Sequence, residues 1–139
     1  MPGAPRVLFV CVENSCRSQL AEAFAIIHGD SMIEAKSAGS QPAGAINPKA
    51  AESMRELGYD LRSHRSKPLS SVLDTDYDIV VSMGCGDDLA AIRTEEVVTW
   101  DIPDPKQMNI DDFREVRDLI ESQVKSLIAE LSRGEEIED

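Results

Sequence analysis

The residues best suited to chemistry in this sequence are a cysteine and an arginine near its N-terminus. Five residues separate Cys11 from Arg17, and Ser18 follows directly. A cysteine thiolate is a strong nucleophile, and a guanidinium offers a planar pair of donors to two oxygens of a tetrahedral oxyanion. A serine hydroxyl at position 18 can donate a hydrogen bond to the cysteine sulfur. This spacing predicts a nucleophilic cysteine in a loop that binds an oxyanion.

The segments on either side of this loop support that interpretation. Residues 6–11 (RVLFVC) form a β-branched and aromatic run typical of a buried parallel strand, and a helical pattern begins at Cys16 and stops at Gly29. Backbone N–H groups between a strand and a helix can surround an oxyanion, and the helix dipole adds to their field. The same field favours the thiolate form of Cys11. The predicted binding residues are Val12, Glu13, Asn14, Ser15, Cys16, Arg17 and Ser18.

The rest of the chain alternates strands with helices. Further strands are predicted at residues 32–37, 77–83 and 96–100, a helix runs from Asn47-Pro48 to Gly58, and a long helix includes Ile110 and the residues after it. Residues 62–76 are polar and predict a connection with at most one short helix. Such alternation gives a four-stranded parallel sheet between helical layers, a three-layer α-β-α sandwich. We expect a single domain over residues 1–139, with a flexible acidic tail at residues 134–139.

Three chemically capable residues follow predicted strands. Cys11 ends the first strand, Cys85 follows the third, and Asp104 follows the fourth. Ligands of parallel sheets bind beyond the carboxyl ends of the strands, so these side chains are expected to meet at one edge. The simpler alternative is a buried Cys11 that only ends a strand, with Arg17 in solvent.

Composition excludes several classes of function. The net charge of −12 leaves no basic face for nucleic acid and repels anions at long range, so short-range hydrogen bonds must hold any anion. No apolar run is long enough to span a membrane, and the N-terminus lacks the form of a signal peptide, so we expect a cytoplasmic protein. Three cysteines argue against a disulfide framework. Neither His28 nor His64 has metal-ligand spacing with a cysteine pair, so no metal site is predicted.

The chain resembles the arsenate reductases built on the low-molecular-weight tyrosine phosphatase fold. The resemblance spans nearly the whole chain and is most specific at residues 14–22 (NSCRSQLAE). Further matching positions are Ser37-Ala-Gly39, Asn47-Pro48, His64 with Ser66, the strand at 78–82, and Trp100 ahead of Asp104-Pro105. The resemblance implies that Cys11 attacks arsenate, that Arg17 and the loop amides hold it, and that Asp104 is the general acid. It also implies that the Asn14 side chain maintains the shape of the loop.

Two features favour the reductases over the phosphatases of this fold. The loop continues to Gln19 as in the reductases, and Lys106-Gln107 stands where a tyrosine phosphatase places tyrosines. Aromatic residues make up 4% of the chain, which leaves little material for an aromatic pocket. The first alternative is phosphomonoester hydrolysis by the same Cys11, Arg17 and Asp104. The second is an oxyanion-binding module without turnover, which has little use for a proton donor at position 104.

A second thiol is needed because reduction of arsenate takes two electrons. Thioredoxin-coupled relatives carry two further cysteines after the third strand, and only Cys85 is present there. We predict that Cys85 attacks the Cys11–arsenic adduct, releasing arsenite and forming a disulfide, with an external thiol as the alternative attacker. Thioredoxin, glutaredoxin or a small thiol then restores the thiols. We expect no bound cofactor, phosphate as a substrate analogue, a monomeric chain, and a structural role for Cys16.

Two positions depart from the family pattern. Glu13 replaces the glycine of most relatives and is expected to face water, which leaves Asn14 as the loop residue that best tolerates positive φ. In some relatives a potassium ion is held by an aspartate and by residues that match Asn14, Glu22 and Ser37. Lys67 stands where that aspartate would be. Its ammonium group can take over the charge of the cation, so no potassium requirement is predicted.

Overall fold

The computed structural model describes residues 4–29, 32–84 and 89–138, with side chains described as far as residue 132. Within these ranges the chain contains four strands and three α-helices. Cys85, the predicted second thiol, lies outside the described residues.

The sheet is parallel and has its first strand near the centre. The strands are β1 (Arg6–Cys11), β2 (Glu34–Gly39), β3 (Tyr77–Ser82) and β4 (Thr94–Thr99). Their order in space is β2-β1-β3-β4. Residues 7–11 of β1 are buried, which explains its continuous hydrophobic run. β2 lies two residues later than predicted and β4 begins two residues earlier, because pairing register rather than local alternation sets the strand bounds.

The three α-helices begin where the sequence indicated. They are α1 (Arg17–Gly29), α2 (Pro48–Arg55) and α3 (Ile110–Glu138). Asn47 caps α2, since its side chain accepts hydrogen bonds from the N–H groups of Lys49 and Ala50, and Pro48 occupies the first turn. α2 ends at Arg55, three residues before the predicted stop at Gly58, whose φ of +85° suits the turn that follows.

Both faces of the sheet are covered. Val7 and Phe9 of β1 pack against residues of the three α-helices. Leu8 and Val10, on the opposite face, pack with the 3₁₀ segment Leu69–Val72. A second 3₁₀ segment, Leu61–Ser63, precedes it in the chain, so the prediction of at most one short helix in this connection was wrong. In the described ranges, no helix is both long and apolar enough to cross a membrane.

The last helix is longer than the sequence suggested. Its backbone stays helical through residues 134–138, the acidic segment for which a flexible end is predicted. Glutamate is a good helix former, and each added residue continues a helix that is already nucleated. The flexibility of this tail remains a prediction.

The carboxyl edge of the sheet brings β2 against the segment that follows β1. Cys11 and Gly39, the last residues of the two strands, are register partners. A Cβ atom on Gly39 would lie 2.5 Å from the carbonyl oxygen of Val12, so only glycine allows this approach. The strand pairing thus places the end of β2 in close contact with the loop that follows Cys11.

Candidate active site

The segment between β1 and α1 is a bent loop and not an extended continuation of the strand. Residues 12–16 form successive bends, and α1 starts at Arg17. Asn14 has a φ of 51°, and among the described residues it is the only non-glycine with a positive φ. Asparagine adopts this conformation at low cost because its short polar side chain can bond locally. This is the residue that the sequence indicated for the turn.

The carbonyl groups of the loop face outward. The carbonyl oxygens of Val12, Glu13 and Ser15 accept hydrogen bonds from the N–H groups of residues 41, 43 and 47, at 2.8, 2.9 and 3.0 Å. The carbonyl oxygen of Asn14 accepts a bond from Gln19 Nε2 at 3.1 Å. In a trans peptide the N–H group points away from the carbonyl group. The N–H side of these peptides is therefore directed inward, where an oxyanion would be bound.

The Asn14 side chain holds the loop from within. It is fully buried, and its Oδ1 accepts hydrogen bonds from the N–H of Lys67 at 2.8 Å and from Gln19 Nε2 at 2.9 Å. Its Nδ2 donates to Ser18 Oγ at 2.6 Å. Three partners for one buried amide fix its orientation and tie the loop to α1 and to the segment before the 3₁₀ segment Leu69–Val72.

Ser18 connects this network to the sulfur. Its Oγ lies 3.0 Å from Cys11 Sγ. Because Ser18 Oγ already accepts a hydrogen bond from Asn14, its own proton is available for the sulfur. This contact connects the sulfur to the hydrogen-bond network of Asn14. The predicted contact between Ser18 and Cys11 is present.

Arg17 and Asp104 lie close together in the lining of one cavity. The Arg17 side chain is buried; its NH1 donates to the carbonyl oxygen of Ile102 at 3.1 Å, and its NH2 lies 3.7 Å from Asp104 Oδ2. The Asp104 side chain is more than half exposed. A Cβ on Gly84 would lie 2.8 Å from Arg17 NH1, so the end of β3 supports the guanidinium from behind.

The cavity is small. Its volume is about 130 Å³, and its lining residues are Cys11, Val12, Glu13, Ser15, Cys16, Arg17, Asp104 and Lys106. Burial raises the pKa of Cys16 to about 12, which keeps that thiol protonated and unreactive at neutral pH. The predicted structural role of Cys16 agrees with this burial.

Glu13 reaches the surface, as expected, but it is paired there with a lysine rather than free in water. Its Oε2 lies 2.6 Å from Lys106 Nζ, and its side chain is 34% exposed. The hydrogen bond that Lys106 donates to the Glu13 carboxylate raises the pKa of Lys106 and keeps the ammonium group charged. The carboxylate and the ammonium group thus form a partly exposed ion pair at the cavity.

Gln19, His64 and Tyr59 form a second layer behind the loop. Gln19 Nε2 donates to the carbonyl oxygen of Arg65 at 2.6 Å, and its Oε1 lies 3.0 Å from His64 Nδ1. Tyr59 Oη lies 2.6 Å from His64 Nε2. Burial lowers the pKa of His64, opposed by the nearby Glu22 carboxylate. His64 is thus a neutral hydrogen-bonding residue behind the loop.

Of the residues matched to a potassium site, Glu22 lies beside an ammonium group. Glu22 Oε1 accepts a 2.5 Å hydrogen bond from Ser37 Oγ and lies 3.9 Å from Lys67 Nζ. In the described part of the chain, no cluster of histidine, cysteine and acidic residues has the form of a metal site.

The sequence predicted most of the residues around the cavity, but not all of them. Cys11, Arg17 and Asp104 lie around one cavity, whereas Cys85 falls outside the described residues. Lys106 was noted only because it was not a tyrosine, and Gln19 only as part of a motif. Two features of the sequence point to Lys106. It is a cation two residues after Asp104, and Glu13 places a carboxylate in the loop that is predicted to bind an anion.

A parallel sheet that presents a cysteine to an oxyanion-sized cavity defines the class of protein. The chain belongs to the low molecular weight phosphotyrosine protein phosphatase family, whose model matches residues 6–136. It is 37% identical over 130 residues to the glutaredoxin arsenate reductase of Synechocystis sp., covering 91% of this chain and 98% of that protein.

Solved structures show the same fold. An arsenate reductase in the phosphate binding state matches with a TM-score of 0.81 and 34% identity, over 91% of this chain and 98% of that chain. A thioredoxin-dependent arsenate reductase of Corynebacterium glutamicum matches with a TM-score of 0.75 and 30% identity, over 95% of this chain and 64% of that chain.

Proposed function

We propose that the protein is an arsenate reductase, which converts arsenate to arsenite by nucleophilic attack of Cys11 followed by thiol–disulfide exchange. The observation that carries the proposal is the 130 Å³ cavity at the end of β1, lined by Cys11, Arg17 and Asp104. The loop peptides turn their N–H side toward this cavity, which suits a tetrahedral oxyanion. The similarity to arsenate reductases over nine-tenths of the chain supports the same reaction.

In the first step, Cys11 Sγ attacks arsenic and forms a sulfur–arsenic bond. One arsenate oxygen departs as water, and Asp104 supplies a proton to it. Arg17 and the loop N–H groups hold the remaining oxygens and stabilise their charge in the transition state. Arsenic remains in the pentavalent state in this adduct.

In the second step, a second thiolate attacks Cys11 Sγ. The electron pair of the sulfur–arsenic bond stays with arsenic, which becomes trivalent and leaves as arsenite, while the two sulfurs form a disulfide. Cys16 is a poor attacking thiol because burial raises its pKa to about 12. We assign the step to Cys85, with a thiol from an external reductant as the alternative.

An external reductant must then restore the thiols. One relative is named for glutaredoxin and another for thioredoxin. Either protein, or a small thiol, donates two electrons to the disulfide by exchange. The reductant regenerates the starting state, so the chain needs no bound cofactor of its own.

Phosphomonoester hydrolysis is the second candidate, since the family includes phosphatases and the first step is chemically similar. The cavity residues argue against an aryl phosphate as the main substrate. None of the residues described around the cavity is aromatic, and Trp100 packs against Phe9, with ring centroids 5.9 Å apart. An aryl ring would therefore find no stacking partner there.

The proposal is tested by thiol-dependent arsenite release from the full chain, with hydrolysis of an aryl phosphate measured in parallel. Cys11→Ser should abolish release, by on the order of 10³-fold or more. Cys16→Ser is the matched comparison and should lower arsenite release far less, because the Cys16 thiol stays protonated and the loop backbone is unchanged. Faster phosphate ester hydrolysis than arsenite release would favour the phosphatase.

The second thiol is tested by mass spectrometry after one arsenate turnover. A Cys11–Cys85 disulfide supports the internal step, whereas a mixed disulfide with the reductant supports the external one. Cys85→Ser should then stop turnover with thioredoxin and glutaredoxin. If Cys85→Ser retains full turnover with every reductant, the internal disulfide is contradicted while arsenate reduction itself stands.

A further inference from the structure

The mouth of the cavity carries a pair of opposite charges that the proposed reaction does not use. Glu13 lies on the oxyanion loop and Lys106 on the segment that carries Asp104, and both line the cavity. Their charged atoms are 2.6 Å apart. Ninety-three positions separate the two residues in the sequence, so the fold alone creates the contact.

The two charges have opposite effects on an oxyanion in this cavity. Glu13 brings a carboxylate to within the lining of an anion site, where it repels a dianion. Lys106 brings an ammonium group to the same lining, where it attracts one. While they are paired, their fields largely cancel beyond a few ångströms. The cavity then relies on Arg17 and the loop N–H groups.

We infer that Glu13 and Lys106 form a charge-compensated pair that sets the oxyanion affinity of the cavity, with Glu13 holding back a second cation. This inference rests on the proposed function for its substrate class. Lys106 is an affinity-determining residue whose contribution Glu13 suppresses. Because the pair adds little net attraction, a bound dianion is held weakly enough to dissociate. The net charge of −12 repels the dianion further at long range.

The exposure and the contacts of Lys106 are compatible with this role. Its side chain is 45% exposed and free of other described carboxylate partners within ion-pair distance, and its backbone N–H donates to Asp104 Oδ1 at 3.1 Å. Two further contacts hold this segment in place: Arg17 bonds the carbonyl oxygen of Ile102, and Lys49 bonds that of Met108. The segment thus keeps other anchors when Glu13 is neutralised.

The test is the affinity of the full chain for inorganic phosphate, measured by isothermal titration calorimetry at low ionic strength. Glu13→Gln should tighten phosphate binding by roughly threefold to tenfold, because the ammonium group is released toward the anion. Lys106→Gln should weaken binding by a similar factor, because the carboxylate is left uncompensated. The double variant should return to within about twofold of the parent affinity.

Matched controls separate this local effect from the charge of the whole molecule. Arg6 and Glu34 form a 3.0 Å ion pair at the opposite edge of the sheet. Glu34→Gln and Arg6→Gln change the net charge by the same amounts and should leave phosphate affinity within about twofold. The effects of Glu13→Gln and Lys106→Gln should shrink at 0.5 M salt, where screening is strong.

Opposite signs for the two single variants are the decisive result. If both weaken phosphate binding, the pair only positions the two walls, and the inference is overturned. If Glu13→Gln leaves the affinity unchanged, it is overturned as well. Phosphate binding requires no turnover, so opposite shifts without arsenite release would refute the proposed function alone, and equal affinities with release would refute this inference alone.

Discussion

The two edges of the sheet both carry charged side chains and a cavity, but they are built in different ways. At the amino edge, the pairs Arg6–Glu34 and Arg93–Asp76 have side chains that are more than half exposed, around a cavity of about 700 Å³. At the carboxyl edge, the cavity is about 130 Å³, but Asn14 is fully buried and bonded to three partners.

This difference shows that the size of a cavity does not locate the chemistry. Exposed ion pairs contribute little to stability because water and salt screen their charges. Buried polar groups with fixed partners keep their geometry and act in a medium of lower dielectric constant. The smaller cavity is therefore the one that we propose as the active site, and substitutions at the two edges should have unequal consequences.

The largest contrast is expected for the loop asparagine. Asn14→Ala removes three buried hydrogen bonds and places alanine at a φ of 51°, so it should cost about 2–4 kcal/mol in the free energy of unfolding and abolish arsenate turnover. Asp76→Asn at the amino edge should cost less than about 0.5 kcal/mol. Denaturant titration and arsenite release measure both. Equal costs would contradict the contrast between the edges.

The next effect separates backbone strain from contact with the site. Gly84 and Gly58 have φ values of +97° and +85°, but only a Cβ on Gly84 meets Arg17. Both alanine variants should lose about 1–2 kcal/mol of stability through positive φ. Only Gly84→Ala should also weaken phosphate binding, by roughly tenfold, because the guanidinium must move. Similar binding in both variants would show that Gly84 does not support Arg17.

A smaller effect concerns pH and the layer behind the loop. Burial lowers the pKa of His64 from its ordinary value of 6.5, so the unfolded chain takes up a proton that the folded chain resists. The contribution of His64 to the free energy of unfolding should therefore be constant above pH 7.5. It should fall as the pH drops below 6.5 toward the lowered pKa. His64→Gln should lose less stability than the parent between pH 7.5 and 5.5. An unchanged pH dependence in the variant would contradict this assignment.

The smallest expected effect is a null result with potassium. The Lys67 ammonium group lies 3.9 Å from Glu22, so we expect its charge to take the place of a bound cation. Replacing sodium by potassium at fixed ionic strength should leave the melting temperature and the turnover of the parent unchanged. Lys67→Asp is the companion variant and should acquire a response to potassium. A rise in both quantities for the parent would contradict the prediction.

The local parts of the site could be predicted because they are contiguous in sequence. Residues 11–18 carry the nucleophile, the cation and the hydroxyl, and their order between a buried strand and a helix indicated a curved loop. The strand bounds were less predictable: β2 and β4 each begin two residues away from the expected position. Pairing partners, which alternation does not reveal, set those bounds.

The amino-acid sequence by itself determined the fold class, the oxyanion loop and the positive φ of Asn14, because residue types and short spacings fix backbone preference and local chemistry. Only the tertiary structure decided that Glu13 meets Lys106, that Gly84 lies against Arg17 and that His64 bridges Gln19 and Tyr59. These contacts depend on how loops from different strands converge at one edge of the sheet. Spacing along the chain does not predict which side chains of those loops meet.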